Sequence, residues 1–357
     1  MEDIRVELTR HPKAKPELQG IPFGVCFSDH MFLANYESGK GWFDPRVVPY
    51  GPICLEPSAM VLHYAQEVFE GLKAYRAPSG EIRLFRPDEN IARMASSCER
   101  MCIPPVPPEL FLAALKKLVE TEKDWVPREP GTSLYIRPFV FATDPQVGVH
   151  ASDTYIFCII ACPVGSYYPE GMSPVNILIE NEDVRAVRGG TGYIKCGGNY
   201  AGSLRAQERA DELGYSQVLW LDGVHRRYIE EVGAMNVMFK LNGKIVTPAL
   251  RGSVLPGVTR KSCLEILGDW GYEIQERDIS VDELLGAIDA GGLEEAWGTG
   301  TAAVISPIGE IAYEGKSHVV GGRQIGALTQ KLYDTLTGIQ WGTAPDPYGW
   351  TLAVCRG

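Results

Sequence analysis

The chain has 357 residues, 45% of them hydrophobic and 22% charged, a balance that fits a folded globular protein with room for two domains of ~150–200 residues. Its 34 Lys and Arg stand against 45 Asp and Glu, and the net charge of −11 argues against a nucleic-acid partner. No apolar run reaches the ~18 residues of a membrane span, and "MEDIRVELTRHPKAKPELQG" lacks the apolar core of a signal peptide, so a cytoplasmic protein with no membrane partner is expected.

Nine cysteines form no disulfide pattern, because their number is odd and the chain is large enough not to need staples. Cys98 and Cys102, and likewise Cys158 and Cys162, are spaced four apart. No Cys-x-x-Cys or His-x-x-x-His spacing supports a metal, so no metal is expected, and buried free thiols in a reducing compartment are the better reading.

In chain order, "EIRLFR" (81–86) alternates like a strand, and "DENIARMASSCERM" (88–101) follows as a helix with Asp88 as its cap. "PPELFLAALKKLVETEKDWV" (107–126) predicts an amphipathic helix. "TSLYIRPFVFA" and "DTYIFCIIACPV" predict buried strands. "GSYYPEGMSP" (165–174) breaks the pattern. The expected organisation is a small domain over 1–166, a linker over 167–182 and a larger domain over 183–357.

Beyond the linker, "VNILIE" predicts a strand, and "NYAGSLRAQERADEL" a helix stopped by Gly214. "QVLWLD" reads as a strand, and "AMNVMFKLNGKIVTPAL" as a hairpin turning at Asn242-Gly243. "GVTRKSCLEILGDW" is a helix ended by Gly271, with strand "YEIQERDI" after it. Ser280 caps the helix "VDELLGAIDA", and a last hairpin spans 294–315. The mixture is α+β, not a regular βαβ alternation.

"GGTGYIKCGGNYAGS" (189–203) sets one lysine among glycines. It is not a Walker A loop, because Lys195 is followed by Cys196 and no hydroxyl is placed for a metal. "GTGTAA" (298–303) resembles a dinucleotide fingerprint, but a strand-like segment follows it instead of a helix. The bland reading is a flexible loop with a solvated lysine. Against it, Gly192, Gly197, Gly198 and Gly202 are expected to let backbone approach a flat ligand, and "NYAGS" opens a helix whose start attracts an anion. These features suit pyridoxal 5'-phosphate. A lysine that reacts with its aldehyde must be neutral, which costs ~4 kcal/mol against an ordinary lysine at neutral pH. Glu230 and Glu231, before Val-Gly-Ala-Met, are candidates for the ring nitrogen, and "LPGVTR" (255–260) and "TGTAA" for the phosphate.

With these residues in view, the chain resembles the branched-chain amino acid aminotransferases of pyridoxal-phosphate fold type IV. The segments that carry the likeness are "HYAQEVFEGLKAYR", "IRLFRPDENIARM", "GTSLYIRP", "PVGSYYPEG", "KCGGNYAGSL", "QVLWLDG", "EEVGAMN", "LPGVTR" and "GTGTAAV". The resemblance implies that Lys195 bonds the cofactor and shuttles the proton. It gives Tyr200 the phenolic oxygen and Glu231 the pyridinium nitrogen. Arg93, Val258, Thr259 and Thr301 would hold the phosphate. Tyr64, Phe69, Tyr135, Arg137, Tyr167, Ala234, Thr301 and Ala302 would form the substrate pocket, with Arg137 taking the second carboxylate of glutamate. It further implies a homodimer, amino-acid and 2-oxo-acid substrates, and ping-pong transamination of leucine, isoleucine and valine with 2-oxoglutarate.

Some relatives carry threonine where this chain has Ala234, which removes one hydroxyl from the substrate region. The redox Cys-x-x-Cys of the mammalian mitochondrial relative is replaced here by Ala303-Val304-Ile305-Ser306. The same lysine would serve a D-amino-acid aminotransferase or an aminodeoxychorismate-lyase-like enzyme. A non-catalytic phosphate- or nucleotide-binding protein is the alternative from another class.

Overall fold

The structure is a computed structural model that describes residues 3–18, 21–167 and 172–357, so residues 168–171 of the expected linker lie outside the described residues. The chain begins β1 (Arg5–Val6), β2 (His30–Glu37), β3 (Gly41–Pro49), α1 (Met60–Tyr64), β4 (Glu67–Phe69), β5 (Leu72–Arg76) and β6 (Glu81–Phe85). Next come α2 (Pro87–Arg100), α3 (Pro108–Thr121), β7 (Ser133–Ala142) and β8 (Thr154–Val164). The middle of the chain gives β9 (Val175–Ile179), α4 (Gly197–Ala201), α5 (Leu204–Glu212), β10 (Gln217–Leu221), β11 (Ile229–Val232), β12 (Met235–Leu241) and β13 (Lys244–Thr247). It continues with α6 (Val258–Asp269), β14 (Ile274–Glu276), α7 (Val281–Asp289), β15 (Leu293–Gly300), β16 (Val304–Tyr313) and β17 (Lys316–Val319). Then follow α8 (Ala327–Trp341) and β18 (Thr351–Arg356).

The elements form two compact units. One takes Met1–Pro169, Lys195–Gly197 and Gly338–Gly357, and the other takes Glu170–Ile194 and Gly198–Thr337. The first unit holds a sheet in the order β1-β3-β2-β8-β7-β5-β6-β18, with β4 paired to β7. The apolar stripe of α3 (Leu110, Phe111, Ala114, Leu115, Leu118, Val119) is buried, and α3 lies against β2, β3 and β8. Each such Leu or Phe stabilises by about 1.5–3 kcal/mol. The second domain was expected to run to 357, and that boundary is corrected: β18 pairs antiparallel with β6, and Trp341 donates to the Thr132 carbonyl at 2.9 Å. Strand pairing over such separations leaves no local pattern for a sequence to show.

The second unit holds a sheet in the order β11-β10-β9-β16-β15-β12-β13-β14, and an added β11–β12 pairing closes six of its strands into a ring. Its core includes Ile177, Leu219, Val237, Phe239 and Ile311, each fully buried. The expected turn at Asn242-Gly243 has both residues at positive φ, and the Ser280 hydroxyl accepts the Glu283 N–H at 3.1 Å, as a helix cap should.

Three local expectations are corrected. Pro87 takes the first helical position of α2 after Arg86 at φ 46, so Asp88 is not the cap and sits in the first turn. The helix expected over 199–213 is two helices, α4 and α5, interrupted at Gly202 and Ser203. The strand expected over 272–279 shortens to β14, which pairs with β13 at the end of the sheet order.

Candidate functional site

In the first unit, Lys195 stands on a segment tied down on both sides. Its N–H donates to the Ser97 hydroxyl of α2 at 3.1 Å, and its carbonyl accepts from Phe69 of β4 at 3.0 Å. Two residues on, the Gly197 N–H donates to Oε1 of Glu67. The Lys195 ammonium lies 4.7 Å from the centre of the Phe69 ring, and the Arg137 guanidinium lies 4.8 Å from that centre. Arg137 also donates to the Tyr135 hydroxyl at 3.1 Å.

Strand register explains this grouping. Glu67 and Phe69 pair with Phe141 and Phe139 of β7, while Lys73 of β5 pairs with Tyr135. Directly opposed residues share a sheet face, and alternate residues of a strand do too. Glu67, Phe69, Lys73, Tyr135 and Arg137 therefore share one face. On it, burial pushes the Lys73 amine down to about 7.

Arg93 on α2 is fixed by Glu70, with Nε and Nη2 at 2.7 and 2.8 Å from the two carboxylate oxygens. Glu70 is wholly buried and also accepts from Asn90 at 2.7 Å and from the Gly71 N–H at 3.1 Å. Burial alone would raise its carboxyl, but Arg93, and then Lys195, bring it below the ordinary range. Tyr64, at the end of α1, is 37% exposed and outside this grouping, and Tyr167 is 54% exposed beyond β8.

In the second unit, Tyr200, Glu231 and Ala234 line one cavity of about 450 Å³ together with Arg185, Asn199 and Leu255. Glu231 on β11 meets Nη2 of Arg185 at 2.7 Å, and its other oxygen accepts from Asn236 at 3.0 Å and the Leu255 N–H at 3.3 Å. Glu230 points the other way, as strand alternation requires. It accepts from the Ser253 hydroxyl, lines a separate cavity, and burial pushes its carboxyl up to about 7. Arg185 spans the two, since its Nη2 also donates to the Ser253 carbonyl.

Val258 and Thr259 open α6 after Gly257, and no side chain caps that helix, so its first N–H groups suit a phosphate. Thr301 and Ala302 lie in the turn after β15, whose Gly300 packs against Met235 beside Ala234. The turn ends at Val304, which holds φ 64, a conformation that costs a β-branched residue about 1–3 kcal/mol.

The glycines do less for a ligand than expected. A Cβ at Gly192 would lie 2.3 Å from Ala186 and 2.4 Å from the Ser253 carbonyl, and one at Gly197 would lie 2.2 Å from Glu67. At these two positions bareness serves packing of the protein on itself. Only Gly198 meets nothing within 4 Å among the four glycines singled out.

Sequence reasoning missed Glu67, Glu70, Ser97, Arg185, Asn236 and Ser253. The available signal was a carboxylate inside an apolar strand context, as in "VFEGLKAY". All nine cysteines are free, and burial raises the Cys98 thiol to about 12 and the Cys162 thiol to about 11. No group of His, Cys, Asp and Glu among the described residues is arranged to hold a metal.

A protein-family model described as amino-transferase class IV matches residues 67–311. The chain is 54% identical over 351 residues to branched-chain-amino-acid aminotransferase 2 of Bacillus subtilis (strain 168), covering 98% of this chain and 97% of that one. It is similar to the solved branched-chain amino acid aminotransferase of Escherichia coli, with a TM-score of 0.76 and 25% identity over 92% of this chain and 99% of that one. It is also similar to a branched-chain amino acid aminotransferase of T.th. solved with pyridoxamine 5'-phosphate, with a TM-score of 0.75 and 25% identity over 90% and 98% of the two chains.

Proposed function

The chain belongs to the class IV aminotransferases, with the α+β architecture of fold type IV, and from that premise we propose how its residues divide the work. The reaction is pyridoxal-phosphate-dependent transamination of L-leucine, L-isoleucine and L-valine with 2-oxoglutarate, giving branched-chain 2-oxo acids and L-glutamate. The D-amino-acid aminotransferase and lyase alternatives are not favoured by likeness over nearly the whole chain.

The residues present fit the cofactor. A buried carboxylate, Glu231, fronts a cavity beside Tyr200, and α6 opens without a side-chain cap. When bound, pyridoxal phosphate supplies the electron sink that lets a proton leave the substrate Cα. Lys195 would bond the cofactor at rest, and its freed Nζ would move the proton that leaves the substrate Cα. Glu231 would accept from the ring nitrogen and keep it protonated, while Tyr200 would donate to the phenolic oxygen. For the phosphate we assign Arg93 of the first unit and Val258, Thr259 and Thr301 of the second, which would each contribute a donor. For the substrate we assign Tyr64, Phe69, Tyr135 and Tyr167 to the aliphatic side chain, Arg137 to the second carboxylate of glutamate, and Ala234 with the Thr301–Ala302 peptides as further contacts.

The observation that carries these roles is the anchoring of Lys195 at its own N–H and carbonyl, with its ammonium on the Phe69 ring beside Arg137. An anchored backbone would let the amine leave its bond to the cofactor and meet the Cα proton without losing its place. We further propose a cytoplasmic homodimer with neither nucleic acid nor membrane as partner. Exposed Val147, Val149, Phe23 and Val25 of the first unit, at 67%, 85%, 54% and 60%, support a second copy as the partner. Steady-state rates with 2-oxoglutarate test the substrate. L-Leucine should exceed D-alanine in kcat/KM by at least ~100-fold; comparable rates for the two would contradict the reading.

A further inference from the structure

The face that carries Phe69, Tyr135 and Arg137 also carries a carboxylate with no part in the roles above. Glu67 begins β4, two residues before Phe69 and opposite Phe141, so it shares the face of Arg137. Arg137 forms no ion pair within 4.0 Å among the described residues. Its partners are the Tyr135 hydroxyl and the faces of Phe69 and Tyr135, and its Nε is buried without a hydrogen-bond acceptor. Glu67 is the carboxylate whose charge interacts with it through space, and the Gly197 N–H holds Glu67 in place.

A ping-pong aminotransferase of this specificity must seat, in turn, an aliphatic side chain and a side chain ending in a carboxylate. An arginine that binds the second is an unbalanced cation while the first is bound, and desolvating it then opposes binding. A fixed carboxylate nearby offsets that cost and repels the incoming second anion. We propose that Glu67 sets the balance between the two substrates by counter-charging Arg137, favouring the branched aliphatic side chain and holding back glutamate and 2-oxoglutarate. This rests on Arg137 receiving the second carboxylate, as proposed above. Burial raises the Glu67 carboxyl above the ordinary range, while the Gly197 N–H and then Arg137 pull it back toward its charged form.

The test uses the holoenzyme and the variants E67Q and E67S. E67Q keeps an oxygen for the Gly197 N–H and removes the charge, whereas E67S removes both. The KM values for 2-oxoglutarate and L-leucine are measured together with kcat. In both variants the KM for 2-oxoglutarate should fall by about fivefold relative to that for leucine, with kcat within about twofold for E67Q. In an R137Q background the shift should vanish. The proposal is overturned if the two KM values move together, if the 2-oxoglutarate KM rises, or if E67Q and E67S move the ratio in opposite directions, since Glu67 would then only anchor Gly197. Wild-type protein that does not turn over leucine would instead remove the function itself, an outcome visible before any variant is made.

Discussion

Each unit buries an arginine–carboxylate pair, and the two pairs differ in what surrounds the carboxylate. Glu70 is enclosed: Arg93 takes both oxygens, and Asn90 and the Gly71 N–H add to them. Glu231 meets Arg185 on one oxygen, Asn236 and Leu255 on the other, and fronts a cavity. Both are buried, at 0% and 4% exposure, so burial alone does not separate them. An enclosed carboxylate acts by holding another side chain, here Arg93. One that borders a cavity is placed to meet a ligand.

Substitution sharpens that contrast. Glu70→Gln leaves Arg93 buried without its carboxylate, and stability should fall by about 3–5 kcal/mol, read as a large drop in Tm. Turnover of the protein that remains folded should fall far less than in the next variant. Glu231→Gln removes the anion assigned to the ring nitrogen, and kcat should fall about 10²–10³-fold, worth ~2.7–4 kcal/mol at the barrier. If the Glu70 variant lost as much kcat as the Glu231 variant, the distinction would collapse.

A smaller effect comes from pH. Glu230, beside Glu231 in sequence, has its carboxyl raised by burial from 4.5 to about 7. Between those values the folded chain holds a proton that the unfolded chain has released, so stability falls as pH rises through that window. Glu230→Gln, which keeps an oxygen for Ser253, should therefore raise Tm at pH 8 and give no such gain at pH 4. Lys73 acts in the opposite sense and in another window. Burial lowers its amine from 10.5 to about 7, so the unfolded chain binds the extra proton between those values and stability rises with pH there. Calorimetry at pH 4, 6, 8 and 9.5 separates the two groups.

Local chemistry was legible in the sequence. The Asn242-Gly243 turn, the Ser280 cap and the amphipathic helix from Pro108 each depend on neighbours a few residues apart. The glycine-rich run around Lys195, leading into α4, is a local pattern of the same kind. The features that stayed hidden depend on distant partners. Glu70 finds Arg93 across 23 residues, Glu231 finds Arg185 across 46, and β18 finds β6 from the far end of the chain. The glycines were misread for the same reason: Gly192 and Gly197 are bare to admit Ala186, Ser253 and Glu67, and none of these contacts has a sequence signature. Choosing Glu231 over Glu230 came from family likeness, and strand alternation gives the physical basis for keeping them apart.

The assignment of Lys195 is tested most directly by reducing the holoenzyme with borohydride and mapping the modified peptide. Lys73 is the competing residue, since it is buried on the same sheet face as Phe69 and burial brings its amine to about 7. A single phosphopyridoxyl group on Lys195 is the expected result. Modification of Lys73, or of no lysine, would contradict it.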